Sequence, residues 1–85
     1  EKKPDYLPAI FYRGVLHFNL GEYQDAKIDF DAILSKKPQF MKALIYRGRC
    51  QEAMNKKEEA IADYTNAINL KLKNYEVYYR RGLLY

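Results

Sequence analysis

Thiols and imidazoles are nearly absent. The 85 residues hold one cysteine, Cys50, and one histidine, His17. A single cysteine excludes an internal disulfide and a four-thiolate metal site. A single histidine, with no paired thiol or serine, leaves no nucleophilic triad to assemble. No apolar run approaches the ~18 residues that a membrane-spanning helix requires. No block of five like charges occurs, although the net charge is +4. Val, Ile and Thr are few, and no stretch alternates apolar and polar residues as a half-buried strand does. What is left is an all-α chain of single-domain length with a small core. Its basic residues are interleaved with acids, which suits an acidic partner without requiring nucleic acid. The chain opens at Glu1 without an initiator Met and stops at Tyr85 within a helical pattern. It therefore reads as an excised segment, expected in the cytoplasm, where a lone thiol stays reduced.

What is present is a period. Tyr12-Arg13-Gly14 returns as Tyr46-Arg47-Gly48 and again as Arg80-Arg81-Gly82, so Gly14, Gly48 and Gly82 are spaced 34 residues apart. A fixed period in this range marks a repeat architecture. Each glycine lies inside a helical pattern, where glycine is unfavourable by roughly 1 kcal/mol relative to alanine. The shared reason is close helix approach, with a ring packed where a Cβ would be. The partners recur too: Ala26 and Ala60, Phe30 and Tyr64, then Ile33 and Ala67 come after the first two glycines at constant spacing.

Taken in order, Glu1 to Pro4 is polar, Asp5 is a candidate N-cap, and Pro8 falls in the first turn of a helix over 6–20. Gly21 suits a left-handed residue closing that helix. A second helix covers 22–35 and stops at Pro38. A third covers 39–54, with Asn55 repeating the role of Gly21. A fourth covers 57–70, with Glu58, Ala60, Ile61, Tyr64, Ala67 and Ile68. Leu72 stands where the first repeat has Pro38, and Asn74 can cap a fifth helix over 75–85.

With Ile10, Gly14, Tyr23, Ala26, Phe30, Ile33 and Pro38, then Leu44, Gly48, Ala60, Tyr64 and Ala67, then Tyr78, Gly82 and Tyr85, residues 7–85 resemble the tetratricopeptide repeat. The departures are His17 and Gln51 at aromatic places, Lys57 for Tyr and Leu72 for Pro. The resemblance implies helix–turn–helix repeats stacked in a right-handed superhelix of about five antiparallel helices. One domain, 1–85, would hold repeat one at 7–40, repeat two at 41–74 and the first helix of repeat three at 75–85.

In this family the first helix of each hairpin lines a concave face. Helical spacing from each glycine places Phe11, Tyr12, Val15, Phe18 and Asn19 there, with Pro8 at the edge. The second repeat adds Lys42, Ile45, Tyr46, Arg49, Glu52 and Ala53, and the third adds Glu76, Tyr79, Arg80 and Leu83. The expectation is a non-enzymatic scaffold or adaptor that binds a peptide or partner helix in that groove. Phe11 and Phe18 divide between groove residues and rings that pack neighbouring repeats. Some family members clamp a chaperone's C-terminal carboxylates with five residues. Those places hold Phe11, Val15, Tyr46, Glu76 and Arg80, and only Arg80 matches, which disfavours that ligand.

The alternatives are RNA binding and self-association. Glu52 and Glu76 in the groove oppose phosphate, so nucleic acid is disfavoured. Tyr78, Leu84 and Tyr85 on a fifth helix without its hairpin partner suggest end-to-end association. No cofactor, metal or membrane insertion is expected. His17 reads as a partly buried core residue and Cys50 as core, and the acid pairs Asp29/Asp31 and Glu58/Glu59 as solvated helix faces.

Overall fold

The computed structural model describes the backbone of residues 6–84 and the side chains of residues 6–72. Four helices succeed one another: α1 (Leu7–Asn19), α2 (Tyr23–Lys36), α3 (Met41–Ala53) and α4 (Lys57–Leu84). No strand occurs among the described residues. α1 packs on α2 and α3 on α4 as two hairpins, and α2 packs on α3 to join them.

The two hairpin turns are built alike. Gly21 has φ +81° and Asn55 has φ +64°, the left-handed conformation expected of both. At the first turn the Glu22 amide donates to the His17 carbonyl at 2.8 Å and the Gly21 amide to Phe18 at 3.0 Å. At the second, Lys56 donates to Gln51 at 2.7 Å and Asn55 to Glu52 at 3.0 Å. This paired pattern satisfies carbonyls that the helix end leaves without partners. Glycine and asparagine are the residues that tolerate it most readily.

Within each hairpin the glycine sits under a ring. A Cβ built on Gly14 would stand 2.9 Å from Phe30, and one on Gly48 would stand 2.7 Å from Tyr64. The backbone approach inferred from the period is therefore real in both hairpins. The core continues through Ile10, Ala26, Phe30, Ile33 and Leu34 into Ala43, Leu44, Cys50 and Ala67. Burying a side chain such as Ile33 or Phe30 stabilises by roughly 1.5–3 kcal/mol.

Three expectations change. The break at Leu72 is absent, and the fourth and fifth helices form one helix, α4. Pro38 has no N–H and turns the residue before it away from helical geometry. Leu72 has an N–H and a high helix propensity, so nothing there stops propagation. Ile61 and Ile68 are 60% and 57% exposed. They lie at the register of Lys27 and Leu34, the side that α2 turns toward α3, and α4 has no helix packed there among the described side chains. Asp29, expected on a solvated face, is buried, and Asp63 is buried as well. The N-cap of α1 is Tyr6, and Asp5 lies outside the described residues.

Candidate functional site

Two arginines hold the helices that present the site. Arg13 donates through Nε and Nη2 to the two carboxylate oxygens of Asp29, at 3.0 and 2.7 Å. Arg47 does the same to Asp63, at 2.8 Å for both bonds, and donates through Nη1 to Asp31 at 2.9 Å. Each pair spans 16 residues, from the first helix of a hairpin to the second. A planar guanidinium matches a carboxylate in this forked geometry. The hydrogen bond to Asp63 is the main reason that Arg47 holds its proton more tightly than an ordinary arginine, despite burial. Asp29 does the same for Arg13.

His17 and Gln51, at the places the family pattern gives to aromatics, are polar links. Gln51 Nε2 donates to Asp63 at 2.9 Å inside the protein. His17 Nδ1 lies 2.6 Å from Glu22, and its Nε2 lies 4.0 Å from Asp29. His17 is thus partly buried and sits at the α1–α2 turn, not inside the apolar core. His17, Glu22 and Asp25 could bring one ligand atom each within 4.8 Å of the others, at an exposed place. Cys50 is fully enclosed, as expected, and burial pushes its thiol up to about 11.

The groove residues divide into a floor and a rim. Phe11, Phe18 and Tyr46 are half-buried and form the floor. Tyr46 stacks on Phe30 with centroids 5.5 Å apart and meets Phe11 and Phe18 edge-on at 5.7 Å. Edge-to-face and offset contacts of this kind fit the quadrupole of the rings. Phe11 and Phe18 therefore join the repeats while still forming the groove surface. Val15 and Ile45 pack beside them against the core. Tyr12, 71% exposed, stands on the rim. Arg49 lies over the Tyr46 ring, 5.6 Å from its centroid, with its own side chain exposed. Asn19 and Lys42 are exposed as well. Glu52 is turned toward α4, where it accepts a hydrogen bond from the Tyr64 hydroxyl at 2.9 Å. Tyr79, Arg80, Leu83 and Glu76 from the third repeat, like Tyr78, Leu84 and Tyr85, lie outside the described side chains.

At one end of this face the floor opens into a cavity of about 440 Å³. Leu7, Pro8, Phe11, Tyr12, Lys37, Phe40, Met41 and Lys42 line it. Phe11 and Phe40 pack against each other in its wall with centroids 5.5 Å apart. Leu7, Lys37, Phe40 and Met41 were not among the expected groove residues. The signal was available, because Tyr6 and Phe40, and Leu7 and Met41, are also 34 residues apart.

The family model described as Tetratricopeptide repeat matches residues 8–39 and 42–70, well over half of the chain. No curated protein and no solved structure gave a significant match. No helix among the described residues is long and apolar enough to cross a membrane.

Proposed function

Because the chain belongs to the tetratricopeptide repeat family, whose repeats mediate protein–protein interaction, we propose that it is a non-enzymatic scaffold or adaptor that takes an extended peptide or short partner helix along the face of α1 and α3. The observation that carries this reading is the pairing of a ring floor with a mixed rim. Phe11, Phe18 and Tyr46 offer apolar surface already held rigid by packing, and Tyr12, Lys42 and Arg49 stand free to contact a ligand. Rigid aromatic anchors and arginine are the residue types that concentrate binding energy at interfaces. The Arg49 guanidinium, laid on Tyr46, is oriented to meet a carboxylate or a carbonyl oxygen. Tyr79, Arg80 and Leu83 were expected on this face from a separate fifth helix; they fall in the single helix α4, and the proposed face is that of α1 and α3 alone.

The chaperone-type carboxylate clamp does not fit this face, because three of its five places hold the half-buried Phe11, Val15 and Tyr46. The proposed ligand is therefore read by its apolar side chains more than by a terminal carboxylate. The proposed setting is the cytoplasm, where Cys50 needs no disulfide partner.

The test is an affinity capture with mass spectrometry, using the chain and its Tyr12→Asp, Arg49→Glu variant in parallel. Both altered residues are exposed, so circular dichroism should show the same helix content in each. Proteins captured by the unaltered chain and lost by the variant are the expected result. Identical captures would remove the groove from consideration. Capture of RNA with a steep salt dependence would replace the reading with nucleic-acid binding.

A further inference from the structure

We infer that the cavity between the first turns of α1 and α3 is a pocket for one bulky apolar side chain of a peptide whose neighbouring residues are acidic. This deepens, and rests on, the peptide-groove reading. The lining is apolar at its base, from Leu7, Phe11, Phe40 and Met41, and its rim carries Lys37 and Lys42 with no acid. Both lysines are exposed, and neither is engaged in an ion pair among the described residues. At about 440 Å³ the space lies within the range of small-ligand pockets and holds one aromatic or large aliphatic side chain with room to spare.

The helix ends around the cavity support the sign of the partner. α1 and α3 begin at it, without a side-chain cap and without an acid in the first turn. α2 and α4, which begin elsewhere, carry Asp25 and Glu58 with Glu59 in theirs. The positive end of a helix favours a carboxylate, and here that preference is met by no residue of the two helices themselves. The lysines and the helix ends therefore act in the same direction around an apolar base. A basic peptide would meet the like charges of Lys37 and Lys42, and an acidic one without a large apolar residue would leave the base in water.

The chain contains no tryptophan, so the emission of a tryptophan in a bound peptide reports the peptide alone. The probes are blocked short peptides with a central tryptophan flanked by glutamates, the same flanked by lysines, and a dye-labelled glutamate peptide with alanine at the centre. The glutamate-flanked tryptophan peptide should bind with blue-shifted emission. The lysine-flanked and alanine-centred peptides should each bind more weakly by about tenfold or more. A Lys37→Glu, Lys42→Glu variant, altered only at exposed places, should keep its helix content and reverse the charge preference. Equal affinity for both flanks, loss of the preference for tryptophan over alanine, no blue shift, or a charge preference untouched by the variant would each overturn the pocket. Arg49→Glu separates the two readings, since Arg49 does not line the cavity. If Arg49→Glu loses captured partners while the tryptophan emission never shifts, the groove stands and the pocket falls. If the emission shifts as expected while captures are unchanged by Arg49→Glu, the pocket stands and the wider groove falls.

Discussion

Leu16 and Cys50 stand 34 residues apart at one place in two successive repeats, yet Leu16 is 56% exposed and Cys50 is fully enclosed. The same contrast separates Arg13 from Arg47, whose side chains are 63% and 24% exposed. The difference is α2, which lies against α3 and has no counterpart against α1 among the described residues. Position in the period therefore settles which way a side chain points, and the neighbouring hairpin settles whether it is buried. The acids carry the energetic consequence. Asp63 takes two bonds from Arg47 and one from the buried Gln51, whereas Asp29 takes two from an arginine that is mostly in water. Removing one partner of an enclosed ion pair leaves the other charge desolvated, with losses of about 3–5 kcal/mol in full burial. Arg47 keeps Asp31, so Asp63→Ala should lose about 3 kcal/mol. Asp29→Ala should lose about 1 kcal/mol, because Arg13 rehydrates. Urea unfolding of the two variants measures both, and equal losses would erase the contrast.

The next test exchanges chemistry at the paired place itself. Cys50→Ser puts a hydroxyl into a site with no space for water and should destabilise by about 1–3 kcal/mol. Leu16→Ser changes a residue already in water and should stay within about 0.5 kcal/mol. A comparable loss at Leu16 would mean that a partner covers α1 in solution, most simply a second copy of the chain. Sedimentation at several concentrations would then show it.

The glycines sharpen the comparison in the opposite direction. The built Cβ at Gly48 approaches its ring more closely, at 2.7 Å against 2.9 Å for Gly14. Distance alone would make Gly48→Ala the worse change. Phe30, however, is fully buried, is held by Phe11 and Tyr46, and is backed by the Asp29 Cβ at 3.2 Å from the same point. Tyr64 is only half-buried, and its ring can tilt outward at the loss of one hydrogen bond to Glu52. Overpacking is destabilising by about 1–3 kcal/mol, less the ~1 kcal/mol that alanine gains over glycine in a helix. Gly14→Ala should therefore lose about 1–2 kcal/mol and Gly48→Ala under about 1 kcal/mol, read from thermal or urea midpoints.

Much of this was legible in the residues. The 34-residue spacing gave the two hairpins and the glycine–ring contacts, because both members of each pair recur together, and the left-handed Gly21 and Asn55, because that conformation depends on the residue's own geometry. The ring floor was half legible: helical spacing put Phe11, Phe18 and Tyr46 on one face, but only their mutual packing shows that they join the repeats. Asp29 was misread, since an aspartate carries the same letter whether water or Arg13 surrounds it. Ile61 and Ile68 are exposed for the reason that Leu16 is bare: burial depends on what lies alongside. The cavity was missed because it is lined from the turn, at Lys37 and Phe40, where helical spacing does not reach.

The smallest expected effect is a pH dependence confined to one repeat. Burial pushes the Cys50 thiol from an ordinary 9.0 up to about 11, so the folded protein holds a proton that the unfolded chain releases first. Where the native state binds more protons than the unfolded state, stability falls as pH rises. The contribution is complete below pH 9 and is lost between about 9 and about 11, the loss reaching roughly 1 kcal/mol near pH 9.5. Tyr64, pushed up to about 12 by burial and then by its bond to Glu52, acts in the same direction but begins near 10, its ordinary value. Midpoints compared between about pH 8.5 and about 9.5, before Tyr64 contributes appreciably, report chiefly on the thiol. Cys50→Ala should flatten the slope in that window. Cys50→Ala combined with Leu16→Cys should leave it flat, because the transplanted thiol sits in water in both states. The transplanted thiol should also react with a disulfide reagent at once, whereas Cys50 should react only as fast as the α2–α3 joint opens. A restored slope, or a slow reaction at Cys introduced in place of Leu16, would show that α1 is covered after all and that the two repeats are more alike than their contacts within one chain.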